Sequence, residues 1–170
     1  NTMQKEIINR VAKSKLITID LEDFYPEGKR VVLDISEWLV DGIFLKEVDF
    51  RNSLTAHDWS AYQDNFVAVH CKTDAIIPSW AFMLVSLELA PFAKKVAIGD
   101  LTSLETLLFS EIILQLDIEE YRNKPVIVKG CTSKPIPESA YSLICTKLHA
   151  VASKIMYGEA CSFVPLSQKK

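Results

Sequence analysis

Phe66-Val-Ala-Val-His70, the apolar run from Pro78 to Ala90, and Lys95-Val-Ala-Ile98 decide how this chain is read. The first and third are short β-branched and apolar segments, as strands require. Between them Pro78 sits where a helix tolerates proline, in its first turn, and Pro91 stands near the helix end. A strand, a helix and a strand in that order specify parallel strands joined by a right-handed crossover.

The same rhythm continues toward the C-terminus. Thr102 and Glu105 have the spacing of a capping box and open a helix to about Tyr121. Val126-Ile-Val128 is a strand, Pro137 opens a helix to about Ala152, and Ile155-Met-Tyr157 is a final strand. Residues 65–158 thus read as a parallel β-α-β-α-β-α-β section. The later strands each have Lys before them and Gly after, at Gly99, Gly130 and Gly158. Solvated strand entries and tight exits account for that echo better than an internal repeat.

Toward the N-terminus, Met3, Ile7, Ile8 and Val11 share a helical face over residues 3–13. Leu16 to Asp20 reads as a strand, Tyr25-Pro-Glu-Gly28 as a turn, and Arg30 to Leu33 as the returning antiparallel strand. Asp34 and Glu37 would cap a short helix through Val40, Ile43 to Lys46 would be a third strand, and Asp49 would cap a helix to about Ala56. His57 to Asp64 is irregular. The expected architecture is one α/β domain over residues 1–170 with a mixed sheet, its parallel section extended by N-terminal antiparallel strands.

Composition narrows the function. The chain has 170 residues, 49% hydrophobic and 24% charged, which suits a globular domain that needs no disulfide or metal to build its core. The net charge is −3 with scattered basic residues, which argues against nucleic acid and acidic membranes as partners. The apolar run Pro78–Ala93 is too short to span a bilayer and contains Glu88. The opening residues show no secretory pattern, so the cytoplasm is the expected compartment and the four cysteines are expected to be reduced.

Parallel strands end on one edge, where ligands of open α/β folds bind. Cys71, Asp100, Cys131 and Glu159-Ala-Cys161 follow the strands. Three thiolates would leave one position of a tetrahedral zinc or iron site for Asp74, His70, Asp100 or water, with Asp74 the most natural fourth ligand and Asp74 and Glu159 serving as oxygen ligand, orienting group or proton carrier. The competing reading makes them small buried thiols without chemistry. Cys145 lies on the apolar stripe of Tyr141, Ile144 and Leu148 and reads as core. The loop Cys131-Thr-Ser-Lys-Pro-Ile-Pro137 could hold a phosphate or carboxylate through Ser133 and Lys134, although it lacks P-loop glycines. His57 and His149 carry no recognisable motif. Trp80 should be mostly buried, because its helix is apolar nearly all round.

Leu16 to Gly28, Thr73 to Ala81, Lys129-Gly-Cys131 and Tyr157 to Ser162 together resemble a bacterial family, domain of unknown function 2480. The resemblance runs through essentially the whole chain and implies no established activity. It implies emphasis on Asp74, Pro78, Trp80, Cys131, Glu159 and Cys161, an iron–sulfur assembly context, and less weight on His70 and Lys72. The expected function is therefore an accessory protein with a cysteine-lined metal or thiol site. The alternatives are a non-enzymatic interaction module, presumed to be a homo-oligomer, and an enzyme of a small anionic metabolite.

Overall fold

Two aspartates set the plan of the molecule. Asp20 ends the strand β1 (Ile17–Ile19) and Asp34 ends the strand β2 (Arg30–Asp34). Each carboxylate accepts the backbone N–H two residues on, Glu22 N–H and Ser36 N–H, both at 3.0 Å. Each thereby caps a 3-10 turn, Leu21–Phe24 and Ile35–Trp38, that carries the chain off the sheet edge. The buried Leu21 and Ile35 anchor these turns in the core.

The computed structural model describes residues 15–130 and 133–170. The expected helix over residues 3–13 lies outside the described residues. The chain divides into two compact units, residues 26–107 and the flanking residues up to 25 and from 108. Each has its own sheet and its own buried cluster.

In the unit formed by residues 26–107, β2, β3 (Phe66–His70) and β4 (Lys95–Ile98) form a parallel sheet in the order β2-β3-β4. Helices α1 (Glu47–Ala56) and α2 (Ser79–Leu89) bury Phe50, Leu54, Ala81, Val85 and Leu89 against Leu33, Val67 and Val69. Helix α3 (Leu101–Gln115) begins among these residues and ends among those of the other unit. That other unit has the strand order β1-β5-β6-β7. There β1, β5 (Pro125–Val128) and β6 (Lys154–Glu159) are parallel, and β7 (Ser162–Gln168) is antiparallel to β6. Helix α4 (Glu138–His149) buries Ala140, Ile144 and Leu148, and Cys145 is half-buried beside them.

The mixed α/β class is as the sequence implies, but the strand pairing differs. β1 and β2 do not pair with each other; each adds in parallel to a different sheet, through β5 and β3. The Asp-capped turns are the reason, since they send the chain into a crossover instead of a hairpin. The parallel run over residues 65–158 is likewise shared between two sheets, and the antiparallel strand is the C-terminal β7. Ile43 to Lys46 forms no strand; Val40 and Phe44 make an isolated bridge, and α1 starts at Glu47 rather than being capped by Asp49.

The two units repeat one another, contrary to the sequence reading. Strand, Asp-capped 3-10 turn, helix, 3-10 turn, strand, helix and strand occur twice in the same order. From Asp58 onward the correspondence runs at one constant spacing. Asp58 and Asp117 cap 3-10 turns through the N–H groups of Ser60 and Glu119. Tyr62 and Tyr121 are buried. Asp64 and Asn123 both have φ 60° and donate their N–H to the carbonyls of Phe92 and Val151. Pro78 and Pro137 stand at the helix N-caps, and Gly99, just past β4, and Gly158, near the end of β6, have φ 135° and 127°. Only glycine adopts that backbone readily. In chain order one copy is inserted within the other, between the turn Leu21–Phe24 and α3.

Candidate functional site

Asp41 and Gly42, at φ 54° and 72°, turn the chain tightly between Val40 and Phe44. The resulting tip carries Ile43 and Phe44 outward, Phe44 at 62% exposure. The loop after β3 is fixed against this tip. Lys72 N–H donates to Asp34 at 3.0 Å, and the Thr73 hydroxyl donates to the Gly42 carbonyl. Cys71 Sγ lies 3.5 Å from both the Thr73 carbonyl and its hydroxyl. With residues 71–73 held, the chain presents Asp74, Ile76 and Pro78 beside the tip.

Together these segments enclose an open cleft of about 540 Å³, lined by Ile43, Phe44, Asp74, Ile76, Pro78 and Trp80 with Glu47 at its margin. That volume and an apolar lining with few polar groups are usual for a binding site. Trp80 is part of the lining. Its ring meets Phe50 edge-on at 6.2 Å, and the Arg51 guanidinium lies 5.9 Å from its centroid. Trp80 is only half-buried, because α2 is covered on one side: Met83 and Leu87 on its outer face are 61% and 70% exposed. Glu47 is paired with Arg51 at 3.1 Å. Asp74 has no ion-pair partner among the described residues. Ile76, at 95% exposure, projects from the wall.

Asp34 shows how the sheet end itself is occupied. Burial pushes its carboxyl up, but the N–H groups of Lys72 and Ser36 and the Ser36 hydroxyl outweigh this and hold it below the ordinary 3.8. Asp100, after β4, is lowered by the N–H and hydroxyl of Ser103 and by His70 nearby.

The corresponding edge of the other unit is neutralised from within. Lys129 pairs with Asp20 at 3.2 Å, and Asp20, then Glu159 and Glu22, favour its protonated form. The Glu22 carboxylate accepts the backbone N–H groups of Lys134, at 2.9 Å, and of Ser133, with the Ser133 hydroxyl at 3.0 Å. These bonds keep Glu22 below its ordinary 4.5. The anion-binding loop expected at Ser133 and Lys134 thus holds a carboxylate of its own chain, and Lys134 Nζ lies 5.1 Å from the Tyr25 ring centroid.

The described cysteines differ in setting. Cys71 is half-buried beneath the cleft loop, and Cys161 is exposed in the link between β6 and β7, next to the exposed Glu159. Cys71 and Asp74 belong to one unit, Cys161 and Glu159 to the other. Cys131 lies outside the described residues. Among the described residues no three His, Cys, Asp or Glu side chains come together as metal ligands would, so a metal or thiolate centre finds no support there. His57 belongs to an aromatic cluster with Trp38 and Trp59, its Nε2 2.7 Å from the Tyr62 hydroxyl.

The family described as "Protein of unknown function (DUF2480)" matches residues 5–169. The chain belongs to this family. No curated protein and no solved structure matches the DUF2480 chain. Among the described residues, no helix is long and apolar enough to cross a membrane. Sequence reading singled out Asp74, Pro78 and Trp80 in this DUF2480 member but missed Ile43, Phe44 and Ile76. Their signal was apolar side chains in segments too irregular to bury them.

Proposed function

We propose that the protein is a non-enzymatic binding module whose cleft receives an apolar side chain of a partner polypeptide beside a basic residue. One observation carries this reading: a cleft of exposed Ile43, Phe44 and Ile76 around Trp80 has Asp74, without an ion-pair partner among the described residues, on its wall. Clustered exposed apolar side chains with a polar rim are the usual mark of an interaction surface. The carboxylate adds preference for a cation and disfavours acidic partners. The thiols in this reading are structural.

Selection from a random displayed-peptide library on the folded protein tests it. Enriched peptides should carry Leu, Ile or an aromatic residue next to Lys or Arg. Asp74→Lys and Ile76→Asp should each weaken their binding roughly tenfold or more, as expected for central interface positions. Enriched peptides that bind both variants as well as the parent would overturn the assignment.

A second reading keeps zinc or iron at Cys131 and Cys161. It is favoured by the parallel pairing of β5 with β6, which makes the strands preceding these cysteines neighbours. Elemental analysis of untagged protein purified without added metal or chelator tests it; protein without bound zinc or iron would remove it.

A further inference from the structure

The duplication exposes a difference between the two sheets. In one unit the last parallel strand, β6, is covered by β7, which runs antiparallel to it. Leu166 and Ser167 of β7 line a cleft with Cys145, Thr146 and Ile155. In the other unit the corresponding strand is β4, and among the described residues nothing pairs with its outer edge. Beside it lies a cleft of about 670 Å³ whose lining includes Phe82, Met83, Ser86, Leu87 and Ile98. Ser86 and Leu87 occupy the positions that Cys145 and Thr146 hold under β7. An uncovered strand edge beside exposed apolar side chains is a template for pairing.

We infer that β4 pairs antiparallel with β4 of a second copy of this chain, joining two three-stranded sheets into one. The register follows from the backbone. Gly99 donates its N–H inward to Val69 at 2.8 Å. By alternation, Val96 and Ile98 present their N–H and C=O groups to the open edge. A two-fold axis at Ala97 sets Val96 opposite Ile98 of the partner subunit and exchanges both pairs of hydrogen bonds. The axis is normal to the sheet, so both α2 helices stay on one face and Met83 and Leu87 meet their counterparts. The surface is thus self-complementary in backbone and apolar contact, as a two-fold interface requires.

Sedimentation equilibrium on the whole chain, up to about 1 mM so that weak association is visible, tests the pairing. The parent should be in monomer–dimer equilibrium. Leu87→Arg and Met83→Arg, both at exposed positions, should each weaken dimerisation roughly tenfold or more while leaving the circular dichroism spectrum unchanged. Hydrogen exchange supplies a readout that needs no variant: the amides of Val96 and Ile98 should become protected as concentration rises. A parent that stays a single chain throughout, or a dimer that both folded variants keep, would overturn the proposal. Amides of Val96 and Ile98 protected equally at every dilution would assign the edge to another segment of the same chain, and would overturn it as well.

Discussion

Arg30→Met should be among the most damaging single substitutions in the molecule. Arg30 Nε donates to Glu105 Oε1 at 2.7 Å, and the two side chains are only 13% and 6% exposed. Its Nη1 also donates to the carbonyls of Pro26 and Gly28, at 2.5 and 2.8 Å, and its guanidinium lies 4.9 Å from the Phe66 ring centroid. Methionine keeps much of the apolar stem but strips Glu105 of the guanidinium. Removing one partner of a buried ion pair costs about 3–5 kcal/mol. Against a total stability of roughly 5–15 kcal/mol, that is a large share. Pairing Arg30→Met with Glu105→Leu removes both charges, and the double variant should return to within about 1–2 kcal/mol of the parent, the remainder reflecting the two carbonyls that lose a donor. Urea unfolding followed by circular dichroism gives all four corners of the cycle. A loss below about 1 kcal/mol for Arg30→Met, the range of uninvolved positions, would refute the reasoning. So would a double variant that loses the sum of the two single losses.

Other consequences follow from protonation and exposure. Glu22, Asp34 and Asp100 have native pKa values below the ordinary 4.5, 3.8 and 3.8. Their contribution is present above those ordinary values and is lost as pH falls through the lower native ones, so Glu22→Gln should flatten the acid limb of a stability–pH curve. Burial and then Glu120 push the Tyr121 phenol up to about 12, and burial also raises Tyr62, so spectrophotometric titration should show tyrosine ionisation extending well past the ordinary 10.0. Burial also raises the Cys145 thiol above 9.0. Among Cys71, Cys145 and Cys161, an aromatic disulfide reagent should label the exposed Cys161 first and Cys145 slowly. Trp80→Ala should cost less than the roughly 3–5 kcal/mol of a fully packed aromatic site, while abolishing peptide binding at the cleft.

Local chemistry was legible in the sequence, and long-range pairing was not. The strands at Phe66, Lys95, Val126 and Ile155 and the helices opened by Pro78 and Pro137 follow from β-branched runs and proline at the first turn. Asp20 and Asp34 were visible too, but only as the last residue of a strand and a helix cap. That both send the chain away from a hairpin depends on which strand waits at the sheet, and periodicity does not encode partners. The repeat escaped because the two copies share positions more than residues: Lys129 stands where His70 does, Glu22 where Ser36 does, Ser139 where Trp80 does. The strand β7 was missed because Ser162–Gln168 contains Pro165 and exposes most of its side chains, which suits an edge and carries little hydrophobic signal. The cleft was half-legible. Asp74 and Trp80 drew notice by type, whereas Ile43, Phe44 and Ile76 gain meaning only from the fixed loop that gathers them.

The nesting of one copy inside the other orders events during synthesis. Residues 26–107 are continuous, so their sheet can close as soon as β4 has left the ribosome. β1 leaves earlier but has no neighbour until β5 emerges on the far side of the inserted copy. At a synthesis rate of about 5–20 residues per second, that interval is on the order of five to twenty seconds. Throughout it Ile17 and Ile19 form an unpaired apolar strand, and the loop that must close spans the whole inserted unit. Closing so long a loop is slow relative to local pairing. The inserted copy shortens that search if it is already folded when β5 arrives, because a compact body brings its two chain ends back together where an unfolded stretch of equal length would leave them apart.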